Sequence, residues 1–391
     1  PQLRAAVEHV LGRETPDLEP TAASLLVAAV EGWRPGHEVR LRNLARADLA
    51  GVGWAGVELP GVQAPWATLA RADLAGANLQ GANLSHAELS SARLSSANLA
   101  GAELSGAMAS RVDLSDVNAR DLKAAEACFE CADASRARLE GALLLTCNLT
   151  GARLIRANLT GAHLTGGVCE DAELSGAVLE RASLNALDLR SARLVGVRFR
   201  GAVLRSCRLD GQTLELADFS GGSLQDCDLT AADLRHADLR GTGLTRCGLA
   251  HVDLEGADLR GAVFRECSFH AGSSRSGLVG SPLACEGSRT GFYTDEATAE
   301  GFKDPAEIRK ANLCGCDLRG ADLGRLDFYL VDVRGARYST EQAAWLRLKR
   351  QPTEHQRPGE GQHDRRMRRL RYAHQEQRPP PAFLAPSRYR P

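Results

Sequence analysis

Aromatic residues are scarce in this chain, 5% of its 391 residues, and methionine occurs only twice. Layered globular cores draw much of their bulk from aromatic side chains, so this interior must be filled another way. Long apolar runs are missing as well. The longest strongly apolar stretch, Ala22 to Val30, is far shorter than the ~20 residues that span a bilayer. No charged n-region, apolar h-region and cleavage site open the chain. Pro1 fits removal of an initiator Met, and equally a piece cut from a longer protein. The expectation is a cytoplasmic protein with no membrane partner. Catalytic signatures are lacking too: there is no P-loop, no G-x-G-x-x-G after a strand, no H-E-x-x-H and no G-x-S-x-G. With no triad, metal set or phosphate loop to assemble, the chain reads as non-enzymatic, without cofactor or metal.

What is abundant is a repeat. From Leu44 to Phe269 one position in five is apolar through 46 consecutive pentads without a register slip. This position, i, is Leu in 34 pentads and Phe in five. Position i−2 is Ala in 27 pentads, Val in seven and Cys in five. The remaining positions are mostly Asp, Asn, Arg, Ser, Thr and Gly. A period of five matches neither the 3.6 of an α-helix nor the 2 of a plain strand. Residues i−2 and i share one side of a short extended edge, and i+1 and i+2 turn the chain. A slower period counts the edges. Gly at i+2 recurs at Gly61, Gly81, Gly101, Gly141, Gly161, Gly201, Gly221, Gly241 and Gly261. Cys147, Cys207, Cys227, Cys247 and Cys267 share another 20-residue phase, as do Asn78, Asn98, Asn118 and Asn158. Twenty residues per turn is four pentads per turn, so the spacing predicts an all-β solenoid: a four-sided parallel β-helix with short helical caps.

Ala72-Asp73-Leu74-Ala75-Gly76 and Ala77-Asn78-Leu79-Gln80-Gly81 show the A-(D/N)-L-x-x unit. This pattern resembles the pentapeptide-repeat family, and the resemblance implies a right-handed quadrilateral β-helix. With coils about 4.8 Å apart, the main block forms a rod on the order of 55 Å long. Position i shrinks to Ala at Ala109, Ala119, Ala124 and Ala134, while i−2 grows to Val112, Val117 and Leu122; an irregular or bent coil is expected near residues 106–135.

The expected organisation is an N-terminal helical cap at 1–40, the β-helix at 41–270, an insertion at 271–308, resumed repeats at 309–340, a cap helix at 341–350 and a disordered tail at 351–391. Residues 3–12 and 21–32 read as short helices, the second capped by Thr21 or Ser24, with Leu25, Leu26, Val27 and Val30 covering the first coil. Trp345 anchors the closing helix. The insertion joins a Ser/Gly/Pro-rich loop to a helix starting at Asp304-Pro305-Ala306-Glu307. It reads either as a tolerated surface excursion or as a partner-contacting arm carrying Phe292, Tyr293 and Phe302.

Charge is divided. Residues 1–340 carry 36 Lys/Arg against 44 Asp/Glu, and residues 341–391 carry 12 against 5. In the tail, Arg365, Arg366, Arg368 and Arg369 form either a solvated cluster or a contact for nucleic acid or another polyanion. At the end of the repeats Tyr329 and Leu330 fall on outward positions; they are either covered by the chain itself or buried in a two-fold homodimer through the C-terminal end. The 11 Cys follow the repeat rather than a disulfide framework, which predicts a reducing compartment and free, inward thiols. Cys128-x-x-Cys131 and Cys314-x-Cys316 lack second pairs at zinc-ligand spacing.

The functional reading is a non-enzymatic protein-interaction scaffold with an unidentified protein partner. The family resemblance implies an alternative, a DNA-mimicking protein that binds DNA gyrase and confers inhibitor resistance. Against it, Arg193, Arg198, Arg200, Arg240 and Arg260 interrupt the acidic columns. A further alternative is a docking or sensor module of a larger multidomain protein.

Overall fold

The computed structural model describes residues 18–35, 41–269, 311–323, 326 and 331–343. It is the parallel β-solenoid that the 20-residue period requires. Every outward i−1 residue but Arg193 bridges the residue 20 positions later, in parallel, from Asn43↔Gln63 through Gly248↔Ser268. The chain re-enters at Ala311 on the same ladder: Asp253 pairs Asn312 and Asp258 pairs Asp317. The repeats on either side of residues 270–310 thus belong to one stack.

The four faces are named here by their inward residue: A through Leu44, B through Leu49, C through Trp54, D through Leu59, each recurring every 20 residues. Leu at i and Ala at i−2 form one continuous buried column, with Ala72, Ala77, Leu89 and Leu99 fully enclosed. Corners off the sheet strands follow one design. The i carbonyl accepts the N–H of i+3, as in Ala72 N to Leu69 O at 3.0 Å, and residue i+2 sits at positive φ, 59° for Arg71. This is a type II turn. Asn ladders run along face D, where Asn98 Nδ2 donates to Asn78 Oδ1 at 3.2 Å and Asn118 Nδ2 to Asn98 Oδ1 at 2.8 Å.

Face A differs. Its edges become full strands: β1 Leu143–Leu145, β2 His163–Thr165, β3 Ser183–Asn185, β4 Val203–Arg205, β5 Ser223–Gln225, β6 Gly243–Thr245 and β7 Val263–Arg265, one parallel sheet in chain order. The corner after each strand is open, because the Leu184, Leu204, Leu224 and Leu244 carbonyls receive no turn bond. The cysteine column meets this need. Cys207, Cys227, Cys247 and Cys267 point inward, and each Sγ lies 3.4–3.6 Å from one of those carbonyls, as a thiol donor. Cys in this phase thus finds a local acceptor for its proton, although Gly167 and Leu187 fill the same slot without one. All ten Cys among the described residues are free.

The ends are closed by side chains that imitate a missing coil. Helix α1, Glu19–Ala29, lies over the first coil. Glu19 is buried, and its Oε2 accepts the Arg42 and Asn43 N–H groups at 2.7 and 2.6 Å. Ala22, Ala23 and Leu26 bury against the core, whereas Leu25 faces outward. The helix begins earlier than its sequence suggests. Neither Thr21 nor Ser24 caps it; Ser24 sits a turn inside, donating to Pro20 O and accepting the Asp48 N–H at 2.9 Å. At the other end Ser339 and Gln342 form a reciprocal capping box, and Gln342 Nε2 donates to Leu318 O and Ala321 O on the last coil.

The expected irregularity near 106–135 does not occur. Glu103↔Lys123, Met108↔Cys128, Asp113↔Asp133 and Asn118↔Arg138 keep the ladder intact. The lost volume appears instead as an apolar cavity of about 30 Å³ among Leu114, Ala119, Leu122, Phe129, Ala134 and Leu139. A hydrogen-bonded ladder holds its spacing when a side chain is too small, because stacking depends on the backbone; the deficit stays inside as empty space.

Candidate functional site

None of the sequence-predicted contact residues can be placed: Phe292, Tyr293, Phe302, Tyr329, Leu330, Arg365, Arg366, Arg368 and Arg369 all lie outside the described residues. Trp345 does too. Among the described residues no cluster of His, Cys, Asp and Glu has a metal-holding arrangement. Cys128 is half-buried beside Ser110 and Asn148, and Cys131 is exposed at a corner. Burial pushes the Cys147, Cys169 and Cys316 thiols up to about 12, so they are protonated at neutral pH. No described helix is long and apolar enough to cross a membrane.

What the described surface does carry is banded charge. Residues 181–208 hold seven Arg and one acid, Asp188. Residues 170–180 just before them hold four acids and no base, and residues 209–238 just after hold seven acids and one Arg. One coil is 20 residues, so the arginines form a belt around the rod. Arg193 lies on face C, Arg198 and Arg200 on face D, Arg181 at the D–A corner, Arg205 on face A, and Arg190 and Arg208 on face B. All seven are exposed. Arg181, Arg200 and Arg205 make no ion pair among the described residues, while Arg193 reaches Glu173 at 3.3 Å and Arg198 reaches Glu180 at 3.8 Å. Such exposed pairs hold weakly and exchange readily.

Beyond the belt several acids are matched locally. In the D-L-R units Asp238 accepts from the Arg240 backbone and guanidinium, Asp258–Arg260 and Asp317–Arg319 repeat the pattern, and Asp332–Arg334 does so around Val333. The hydrogen bond from each arginine, opposed by partial burial, holds the Asp238, Asp258 and Asp317 carboxyls below the usual range, Asp317 at about 2.

The belt coincides with the one missing bridge between described coils. On face C Glu173 bridges Arg193 and Thr213 bridges Asp233, but Arg193 and Thr213 do not pair. The Leu194, Gly196 and Thr213 N–H groups make none of the bonds that the regular ladder would supply. Gln212 sits at this opening. It occupies a slot normally filled by Ala, it is buried, and its Nε2 donates to Leu189 O at 2.8 Å and Arg190 O at 2.5 Å. Leu122 is also large at that position, but Ala124 beside it compensates. Gln212 is followed by full-sized Leu214, as Leu187 is by Leu189, where the Val168–Asp188–Arg208 bridges persist; Gln212 differs in placing a buried amide on two carbonyls of the preceding coil. Two apolar side chains stand beside the opening. Val195 is 63% exposed, and Leu216 is 71% exposed at a corner φ of 61°. Sequence reasoning noted several of these arginines but missed the belt; a running charge count over one 20-residue coil exposes it, and Gln at an Ala slot marks the opening.

Comparison with known proteins agrees with this architecture. The family model for pentapeptide repeats matches eight times, at residues 67–106, 87–121, 127–166, 172–211, 182–221, 214–249, 243–271 and 306–337. No curated protein sequence matches the chain. Among solved structures it is similar to HetL, a pentapeptide repeat protein involved in heterocyst differentiation regulation from the cyanobacterium Nostoc sp. strain PCC 7120. That match is 29% identical, covers 55% of this chain and 87% of that one, and has a TM-score of 0.27. It is also similar to QnrB1, a plasmid-mediated fluoroquinolone resistance protein, at 22% identity over 56% of this chain and 93% of that one, with a TM-score of 0.25. A pentapeptide repeat protein of the Arabidopsis thaliana thylakoid lumen matches at 29% identity over 25% of this chain and 63% of that one, with a TM-score of 0.19. With its repeats matched over more than half its length, the chain belongs to the pentapeptide-repeat family.

Proposed function

We propose that this protein is a non-enzymatic interaction scaffold that binds a protein partner along its rod. The observation that carries this reading is the division of every pentad into an inward pair and outward residues held at fixed spacing. A stiff rod of this kind presents side chains in place and loses little freedom on binding. Chemistry is unnecessary for that role, and the buried, protonated thiols offer no nucleophile. The gyrase alternative needs a surface that copies the continuous negative charge of DNA. Residues 41–269 carry 23 Lys/Arg against 28 Asp/Glu, a net of only −5, and the belt interrupts the acidic columns. QnrB1, a fluoroquinolone resistance protein by description, keeps that alternative worth a direct test. A DNA gyrase supercoiling assay with and without a quinolone is expected to show no protection by this protein; protection at stoichiometric amounts would replace the scaffold reading with DNA mimicry.

A further inference from the structure

We propose that the opened coil between Arg193–Gly196 and Thr213–Leu216 is the docking site for an acidic segment of a partner protein, one that carries an apolar residue between its carboxylates. This rests on the scaffold reading and gives the partner a chemistry. Three independent features meet there. The first is charge: Arg193, Arg198 and Arg200 lie on the two faces adjoining the opening, with Arg200 unpaired among the described residues and the other two in exposed, exchangeable pairs. The second is apolar exposure. Leu216 faces water at a left-handed corner where the neighbouring coils place Gly196 and His236. Leu there costs on the order of 1 kcal/mol against Gly, and its exposed side chain returns nothing within the rod. The same corner conformation is met by many non-glycine residues along the rod, so what sets Leu216 apart is its exposed apolar side chain. Val195, one coil below, widens the apolar spot. The third is the backbone: the opened ladder leaves the Leu194 and Gly196 N–H groups without acceptors beside the arginines, which adds to the positive field.

The dimensions favour a peptide over nucleic acid. The belt is little more than one coil tall, and acidic bands border it on both sides along the rod. A duplex about 20 Å wide would overlie those bands and be repelled. A single extended segment fits within the belt and places alternate side chains on the rod.

A fluorescein-labelled twelve-residue peptide of alternating Glu and Leu, titrated with the full chain and followed by anisotropy, tests this. Binding is expected to weaken on the order of tenfold or more in Arg193→Glu/Arg198→Glu, in line with loss of one or two close charge pairs. It should weaken with added salt, and should be unchanged in the control Arg153→Glu/Arg156→Glu on an earlier coil. Leu216→Gly should weaken binding while the thermal midpoint stays level or rises, a combination that rules out misfolding as the cause. Equal binding by wild type and the belt variant overturns the proposal. So does duplex DNA that binds more tightly than the peptide and loses affinity in the same variant, which assigns the belt to nucleic acid. A native partner protein retained equally by both chains would also overturn the docking site, while leaving the scaffold reading in place.

Discussion

Single residues in this protein are governed by the size and donors of two inward slots. The i−2 slot accepts Ala, and on face B it also accepts Cys, whose proton reaches a carbonyl left open by the strand on face A. Oxidation would require these side chains to turn away from that carbonyl. In native protein at pH 8 the column Cys207, Cys227, Cys247 and Cys267 is expected to resist iodoacetamide, while exposed Cys131 reacts; mass spectrometry of the labelled peptides reads the difference, and rapid labelling of the column would mean it is not buried. The i slot is more forgiving, and its vacancies are stored as space. Ala134 lines the cavity on face C. Ala134→Leu is expected to raise stability by about 1 kcal/mol, measured by urea unfolding; a loss would show that the space belongs to a neighbour that cannot yield.

At the scale of the coil, overfilling and underfilling act differently. Four shrunken i positions leave the ladder whole, whereas the one missing bridge lies at Gln212, whose buried amide holds two carbonyls of the preceding coil. Hydrogen-bonded coils resist being drawn together by a void. Gln212→Ala is expected to let Leu194 and Gly196 bond the next coil, raising their amide protection by hydrogen exchange while distant coils stay unchanged. Unchanged protection at both amides would place the cause elsewhere. The end elements obey the same accounting of backbone groups. Glu19 and Gln342 supply an acceptor and a donor to opposite ends of the stack, as an added coil would.

For the whole molecule, stability is a sum over neighbouring coils, and the surface carboxylates contribute through their arginines. The arginine hydrogen bonds depress Asp188, Asp233, Asp238, Asp258 and Asp317 in the folded state. A depressed carboxyl stabilises the fold above its unfolded value, near ~3.9, and that contribution disappears as pH falls through the folded value, about 2 for Asp317. The thermal midpoint is therefore expected to hold from pH 7 to about 4 and to fall between 4 and 2. A midpoint that rose on acidification would contradict the sign of these shifts.

The solenoid, its four sides and its inward residues were legible in the sequence, because a five-residue period with a 20-residue overtone leaves one way to bury Leu and Ala together. The cysteine phase was legible as well, though its carbonyl acceptors were not: the missing turn bonds on face A appear only once the coils are stacked. The expected bend at 106–135 was misplaced because residue size alone says nothing of which errors a ladder absorbs. The opened coil at Gln212, the clustering of Arg193 and Arg198 around it and the outward Leu216 depend on residues about 20 apart lying one coil spacing apart. Local pattern determines which side chains turn inward. Only stacking decides which outward ones become neighbours, because that adjacency runs across the coils rather than along the chain.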